Sequence, residues 1–222
     1  MSSFPVSPWG SAAALFLVSF LIGSLPFGYW VGRLRGIDLR NQGSGNVGAT
    51  NAWRVLGARW GIWIFLLDFL KGALPTEAGL HWSPSPSVPA SIPLADLQAS
   101  LAGFSAILGH NFTPWLRGRG GKGIATSAGV LLVLVPWAFL ILVGIWTCLF
   151  LLCRIVSVAS LSAALAFPIA TALLYPGRRV LLAFSILASV LAVLRHRSNI
   201  QRLIRRTESS FRRKEPNDLS GV

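Results

Sequence analysis

Apolar residues run in long blocks at positions 11–32, 56–80, 94–116, 124–153, 155–175 and 180–194. These lengths approach the ~17–25 residues that a helix needs to cross a bilayer, and the blocks lack the shorter amphipathic period of a soluble helix. The pattern predicts helices that face lipid. The fourth block, at about thirty residues, is too long for one ordinary span. Pro136 stands near its middle, where the missing N–H ends or kinks a helix.

Charge decides how that block is threaded. If 124–153 is one span, the basic tail emerges opposite the basic loops at 36–54 and 117–122. If it folds back at Pro136, seventeen of the 20 Lys and Arg residues share one face. They are Arg33, Arg35, Arg40, Arg54 and Arg59, then Arg117, Arg119 and Lys122, then Arg154, and eight more from Arg195 to Lys214. Arg178 and Arg179 fall on the far side, Lys71 falls inside a span, and the uncharged loop 83–93 fits the outer face. Basic residues gather in cytoplasmic loops, so the reversal is the expected path.

The expected fold is an all-α polytopic membrane protein of about seven transmembrane helices, with the N-terminus outside and the C-terminus cytoplasmic. The two halves of the fourth block are short for full spans, so two spans and a tilted or re-entrant pair both stay open. A single integral membrane domain covers 1–208, and 209–222 reads as a flexible basic tail. The first block lacks a basic n-region and an A-x-A cleavage site, so it reads as a retained span.

Composition agrees: 53% of the 222 residues are hydrophobic and only 12% are charged. A soluble domain carries about twice that charged fraction. The net charge of +13 could suggest nucleic acid, but the basic residues sit in a few loops and the tail, without a nucleic-acid motif. Membrane lipid is the expected partner. Cys148 and Cys153 lie five apart on one helix and point to different faces, so neither a disulfide nor a redox role is expected.

Three polar islands interrupt the apolar chain: GSGNVGATN at 43–51, RGRGGKG at 117–123 and RHRSNIQR at 195–202. Glycines, basic side chains and small hydroxyls together suit an anion, because glycine lets backbone N–H groups approach a phosphate and a helix N-terminus adds its positive end. In the first island Gly43, Gly45 and Gly48 alternate with Ser44, Asn46 and Thr50, with Asn51 and Arg54 close behind. The bland alternative is a flexible turn. The second island is not a Walker A loop: Leu116 takes the place of its first glycine and Gly123 that of its Ser or Thr. What remains is a basic turn opening a helix near Ile124, with Thr126 in the first turn. In the third, His196 and Asn199 share a face if the last helix continues past Leu194. Asp68 and Lys71, at i, i+3 within the second span, read as a mutually satisfied structural pair. His110 and Asn111, just before the second island, fit either a structural or a site role.

Four segments together, GSGNVGATNAWR, DFLKGALP, GHNFTPWLRGRGGKGIAT and RHRSNIQRLIRRTE, resemble the bacterial membrane glycerol-3-phosphate acyltransferases that use acyl-phosphate as donor. The resemblance runs from about Gly23 to Glu208. It implies transfer of a fatty acyl group from acyl-phosphate to the sn-1 hydroxyl of glycerol-3-phosphate, giving lysophosphatidic acid and phosphate, the first step of phospholipid synthesis, in the inner membrane with the site facing the cytoplasm. It assigns catalytic roles to Ser44, Arg54, Lys122, His196 and Asn199. Gly43, Gly45, Asn46, Thr50, Asn51, Gly120, Gly121, Gly123 and Thr126 are the expected phosphate-binding residues, with Ser157 and Ser160 as further contacts and Glu208 as a structural member. No cofactor, metal or obligate protein partner is implied.

The H-x4-D pair of other glycerolipid acyltransferases is absent, since Pro86, Trp115 and Gln201 stand five after His81, His110 and His196. No nucleophile–base pair is apparent, so the expected proton acceptor is a substrate phosphate or His196, without a covalent acyl-enzyme. A transporter of an organic phosphate would place its site at the midplane between repeated halves, and the sequence has no internal repeat. A membrane adaptor would not need clustered Gly, Ser and Asn between spans.

Overall fold

A computed structural model describes residues 8–82 and 93–211, and among them the chain is all-α. Ten helices follow in order: α1 Pro8–Ser24, α2 Phe27–Leu34, α3 Ala49–Leu56, α4 Ala58–Leu80, α5 Leu94–Asn111, α6 Ile124–Leu134, α7 Pro136–Cys153, α8 Val156–Leu174, α9 Arg179–Arg195 and α10 Arg197–Ile204. The loop at 83–92 and the tail from 212 lie outside the described residues.

Among the described residues three segments are long and apolar enough to cross a membrane, Gly10–Leu34, Pro136–Cys153 and Val156–Leu174; α9 and α10, bent by 57° at their junction, add a fourth if that pair counts as one span. Fewer spans are thus marked by apolarity than the seven expected. The reason lies in α4 and α5, which bury Asp68 and Lys71, and Asp96, Gln98, His110 and Asn111. Their polar groups face other parts of the protein. α6, with 11 residues, is the short half of the fourth block. At 1.5 Å per residue it falls well below a hydrocarbon core about 30 Å thick.

Small residues bring the central helices together. A Cβ on Gly23 of α1 would meet Ala106 O of α5 at 2.1 Å, and one on Gly129 of α6 would meet Phe69 O of α4 at 2.0 Å. Lipid tails offer no hydrophobic force between helices, so close backbone approach supplies the attraction. The outer surfaces carry large apolar side chains such as Leu152, Leu165 and Leu173. Two polar devices repair the backbone inside this bundle. Pro168 leaves Ala164 O without its helical donor, and Ser189 Oγ of α9 donates to that oxygen at 2.6 Å. Lys71 Nζ pairs with Asp68 at 2.7 Å, as the spacing predicts, and donates to Leu25 O at 2.7 Å, in the break between α1 and α2.

The fourth block breaks at Val135, and both its ends return to one place. Lys122, just before α6, binds Asn199, which binds Glu208, which binds Ser157 at the start of α8. Chain entry to α6 and exit from α7 are therefore neighbours. At the opposite end Tyr175 Oη accepts from Trp137 N at 3.2 Å, and Arg178 forms a two-pronged pair with Asp96. All three polar islands converge on the first of these ends.

Candidate active site

Each island is folded by its own side chains and backbone. In the first, Gly43 and Gly45 adopt φ of +58° and +70°, a region closed to most residues. The fully buried Asn51 amide staples the loop: Nδ2 lies within hydrogen-bond reach of the carbonyls of Leu39, Gln42 and Asn46, and Oδ1 accepts from Ser44 N at 2.8 Å. Asn46 Oδ1 accepts from Gly48 N. Asn46 and Asn51, expected as phosphate contacts, thus spend these groups on loop shape. Ser44 is left exposed at the loop surface and Thr50 half-buried in the first turn of α3. Arg54, one turn further on, is half-buried and donates to Ser209 O at 3.1 Å.

In the second island, two of the N–H groups that its glycines suggest for an anion are turned inward. Gly120 N and Gly121 N already donate to Asn111 O and His110 O, at 3.2 and 3.1 Å. These glycines are required for packing instead: a Cβ on Gly120 would meet His110 O, and one on Gly121 would meet His110 Nε2, each at 2.0 Å. Their carbonyls point the other way, to Arg195 of α9, whose guanidinium donates to Gly121 O at 2.8 Å and to Gly120 O at 3.2 Å while stacking on Phe112. Arg195 opens the third island in the sequence, which gives it no role of its own. Gly123, at φ +79°, caps α6, whose first N–H groups have no intrahelical partner.

Clamped in this way, the loop aims Lys122 at Asn199 Oδ1. Burial, and then the neighbouring Arg202, Arg54 and Arg195 charges, pull Lys122 down to about 8, against the attraction of Glu208. Asn199 is buried on α10, its Nδ2 donating to Glu208 Oε1. Glu208 also accepts from Ser157 Oγ at 2.8 Å and Arg202 Nε at 2.6 Å. Burial pushes the Glu208 carboxyl up, but the hydrogen bonds from Asn199, Ser157 and Arg202 outweigh it and hold it below the usual range. Ser157 therefore supports Glu208, and Glu208 ties the third island to α8, the structural role expected of it.

His196 sits buried in the turn between α9 and α10. Its Nδ1 lies 2.8 Å from Ala192 O, a carbonyl that can only accept, so Nδ1 carries the proton and Nε2 the lone pair. Burial holds the ring down to about 4, so it is neutral at pH 7. Of the other expected phosphate contacts, Ser160 is engaged within the helix bundle and the buried Thr126 hydroxyl has no hydrogen-bond partner among the described residues. Ser160 Oγ accepts from Trp146 Nε1 at 3.0 Å across the α7–α8 interface. Thr126 is buried against α4, where a Cβ on Gly72 would meet Thr126 O at 2.1 Å.

The arrangement is a group of cations, Arg54, Lys122, Arg195 and Arg202, held by buried amides and one carboxylate at the end of an apolar bundle. It can neutralise phosphate beside a long apolar chain. A family model described as glycerol-3-phosphate acyltransferase matches residues 13–206. The chain belongs to the glycerol-3-phosphate acyltransferase family. It is 42% identical to the glycerol-3-phosphate acyltransferase of Myxococcus xanthus over 201 residues, covering 90% of this chain and 99% of that one. It is 39% identical to the protein of that name from Aquifex aeolicus over 201 residues, with 89% and 99% covered. The crystal structure of PlsY, an integral membrane glycerol 3-phosphate acyltransferase, in its glycerol 3-phosphate form aligns with a TM-score of 0.81 at 36% identity, covering 91% of this chain and 96% of that one. Its lysophosphatidic acid form aligns with a TM-score of 0.79 at 35% identity, with the same shares covered. This member of the family is thus an integral membrane acyltransferase of the PlsY type.

Proposed function

We propose that the protein transfers a fatty acyl group from acyl-phosphate to the sn-1 hydroxyl of glycerol-3-phosphate, releasing phosphate and lysophosphatidic acid. The observation that carries this reading is Lys122: half-buried, aimed at Asn199 and surrounded by Arg54, Arg195 and Arg202. A site so rich in cation and so poor in carboxylate suits two phosphate-bearing substrates. Further support comes from the relatives' names and from the neighbouring structures with glycerol 3-phosphate and lysophosphatidic acid.

In this reading Ser44, Arg54, Lys122 and Asn199 hold the substrate phosphates, and the glycine loops fix where those groups point. The sn-1 oxygen attacks the acyl carbonyl, its C–O bond forms, and the acyl–oxygen bond to phosphate breaks. Acyl-phosphate is already activated, so alignment and charge neutralisation supply most of the catalysis. The hydroxyl proton must go to a base. His196 offers a lone pair at Nε2 but is held down to about 4, whereas the second pKa of a phosphate monoester lies near ~6. A substrate phosphate is therefore the better acceptor, and no covalent acyl-enzyme is needed.

The same reading has seven membrane segments in one domain, with the island end in the cytoplasm and the N-terminus outside, in a bacterial inner membrane. The connections before the tail are short, which leaves little protein to recognise the nucleotide of coenzyme A. Comparing acyl-phosphate, acyl-CoA and acyl carrier protein thioesters of one chain length, with glycerol-3-phosphate as acceptor, tests the donor. Only acyl-phosphate is expected to react, because a thioester leaves the cationic pocket without its anion. Comparable rates with acyl-CoA would overturn the donor assignment and leave the acceptor assignment standing.

A further inference from the structure

The family match ends at residue 206, yet the chain makes some of its closest site contacts just beyond it. After Arg206, turned back at φ +57°, residues 207–211 form a strap across the island end. Glu208 anchors it to Asn199, Ser157 and Arg202. Three residues on, Phe211 N donates to Arg154 O at 2.8 Å, which pins the strap to the end of α7. The Phe211 ring then wedges edge-on between Trp53 of α3 and Phe150 of α7, at centroid distances of 6.4 and 5.9 Å. Arg54 lies against this ring, its Cζ 4.6 Å from the centroid, while its Nη2 donates to Ser209 O at 3.1 Å.

We propose that Phe211 is a positioning residue for Arg54: ring and Ser209 carbonyl hold the guanidinium by one face and one edge, so that its remaining N–H groups are presented to a substrate phosphate. The proposal rests on the reading of Arg54 as a phosphate contact given above. Its physical basis is pre-organisation. Arginine has five donors in a rigid fork but a long flexible stem, and a stem already held loses less rotamer freedom when phosphate binds. The face of an aromatic ring attracts the cation without supplying a counter-charge, so the arginine stays available to an anion. A carboxylate in the same place would compete with the substrate. Ser209 contributes only a neutral carbonyl, and the carboxylate of the strap, Glu208, is engaged with Asn199, Ser157 and Arg202.

The test measures KM for glycerol-3-phosphate and for acyl-phosphate separately, together with kcat and thermal stability, in Phe211→Ala, Phe211→Leu and Phe211→Trp proteins. Leucine keeps apolar packing against Trp53 and Phe150 but removes the aromatic face; tryptophan keeps the face. The expected result for alanine and leucine is a KM for one of the two phosphates raised about 3- to 10-fold, with kcat changed less than about 2-fold and the Trp variant restored. Whichever KM moves identifies the phosphate that Arg54 holds. In an Arg54→Gln background the further change to Phe211→Ala should move that KM by less than about 2-fold, because the partner it positions is gone. A Phe211→Leu protein with both KM values at the wild-type level, or an undiminished Phe211→Ala effect in the Arg54→Gln background, would overturn the positioning role. An Arg54→Gln protein with unaltered KM and kcat would instead overturn the underlying assignment of Arg54 to phosphate. If Phe211→Ala fails to fold, the Leu and Trp variants decide.

Discussion

Lys122 concentrates the chemistry of the site into one side chain. A lysine pulled down to about 8 by burial and by surrounding arginines is an ammonium that gains a great deal when an anion arrives. Lys122→Ala should lose about 2–4 kcal/mol of transition-state stabilisation, roughly 30- to 1,000-fold in kcat/KM, while still inserting in the membrane. Steady-state kinetics on the purified, monodisperse variant measures this, and near-normal turnover would remove the second island from the site. The same group sets a pH limit. Lys122 is protonated below its pKa and loses its charge above it, so kcat/KM should fall as pH rises through about 8. That profile reports the free enzyme, and bound phosphate should move the limb in kcat to higher pH. A flat kcat/KM between pH 7 and about 10 would contradict the assignment.

At the scale of elements, the two glycine loops act through shape. Gly120 and Gly121 press on the end of α5 so closely that no Cβ fits, and Arg195 holds their carbonyls from the other side. Gly120→Ala puts a methyl on the His110 backbone, which cannot move aside as a side-chain tip would, and should destabilise the protein by about 1–3 kcal/mol. Thermal unfolding in detergent should register it, and an unchanged midpoint would show that the loop can relax. The sequence made the islands legible because glycine, hydroxyl and basic residues are conspicuous in an apolar chain. It did not show how they divide the work. Two backbone N–H groups that look available in RGRGGKG, those of Gly120 and Gly121, are taken by the carbonyls of residues 111 and 110, contacts across a turn that no spacing rule reports. Thr126 follows the second island, while Ser157 and Ser160 follow Arg154; the structure packs Thr126 against α4 and turns Ser160 toward Trp146 and Ser157 toward Glu208. Arg195, though it opens the third island, receives no role from the sequence because an arginine ending a span looks like any other under the positive-inside bias.

For the whole molecule, the bend at Pro136 decides everything else, since it returns α7 to the end where α6 began and so gathers Arg54, Lys122, Arg154, Arg195 and Arg202. Apolar pattern and charge balance together were enough to foresee that reversal; the span count differs, since three or four segments among the described residues are long and apolar enough to cross a membrane where seven were expected. Orientation can be read with single cysteines at Gly118 and Ser198, in a background lacking Cys148 and Cys153, labelled in intact cells by an impermeant thiol reagent. Both should be shielded, while a cysteine at Ser87 should label; labelling of Ser198 together with Ser87 would contradict the reversed, cytoplasmic arrangement. The most direct test of the central claim follows phosphate release by purified protein given acyl-phosphate with and without glycerol-3-phosphate. Stoichiometric phosphate and lysophosphatidic acid, formed only when both substrates are present and abolished in Lys122→Ala, is the predicted result. Phosphate released equally fast without the acceptor, or undiminished in Lys122→Ala, would contradict it.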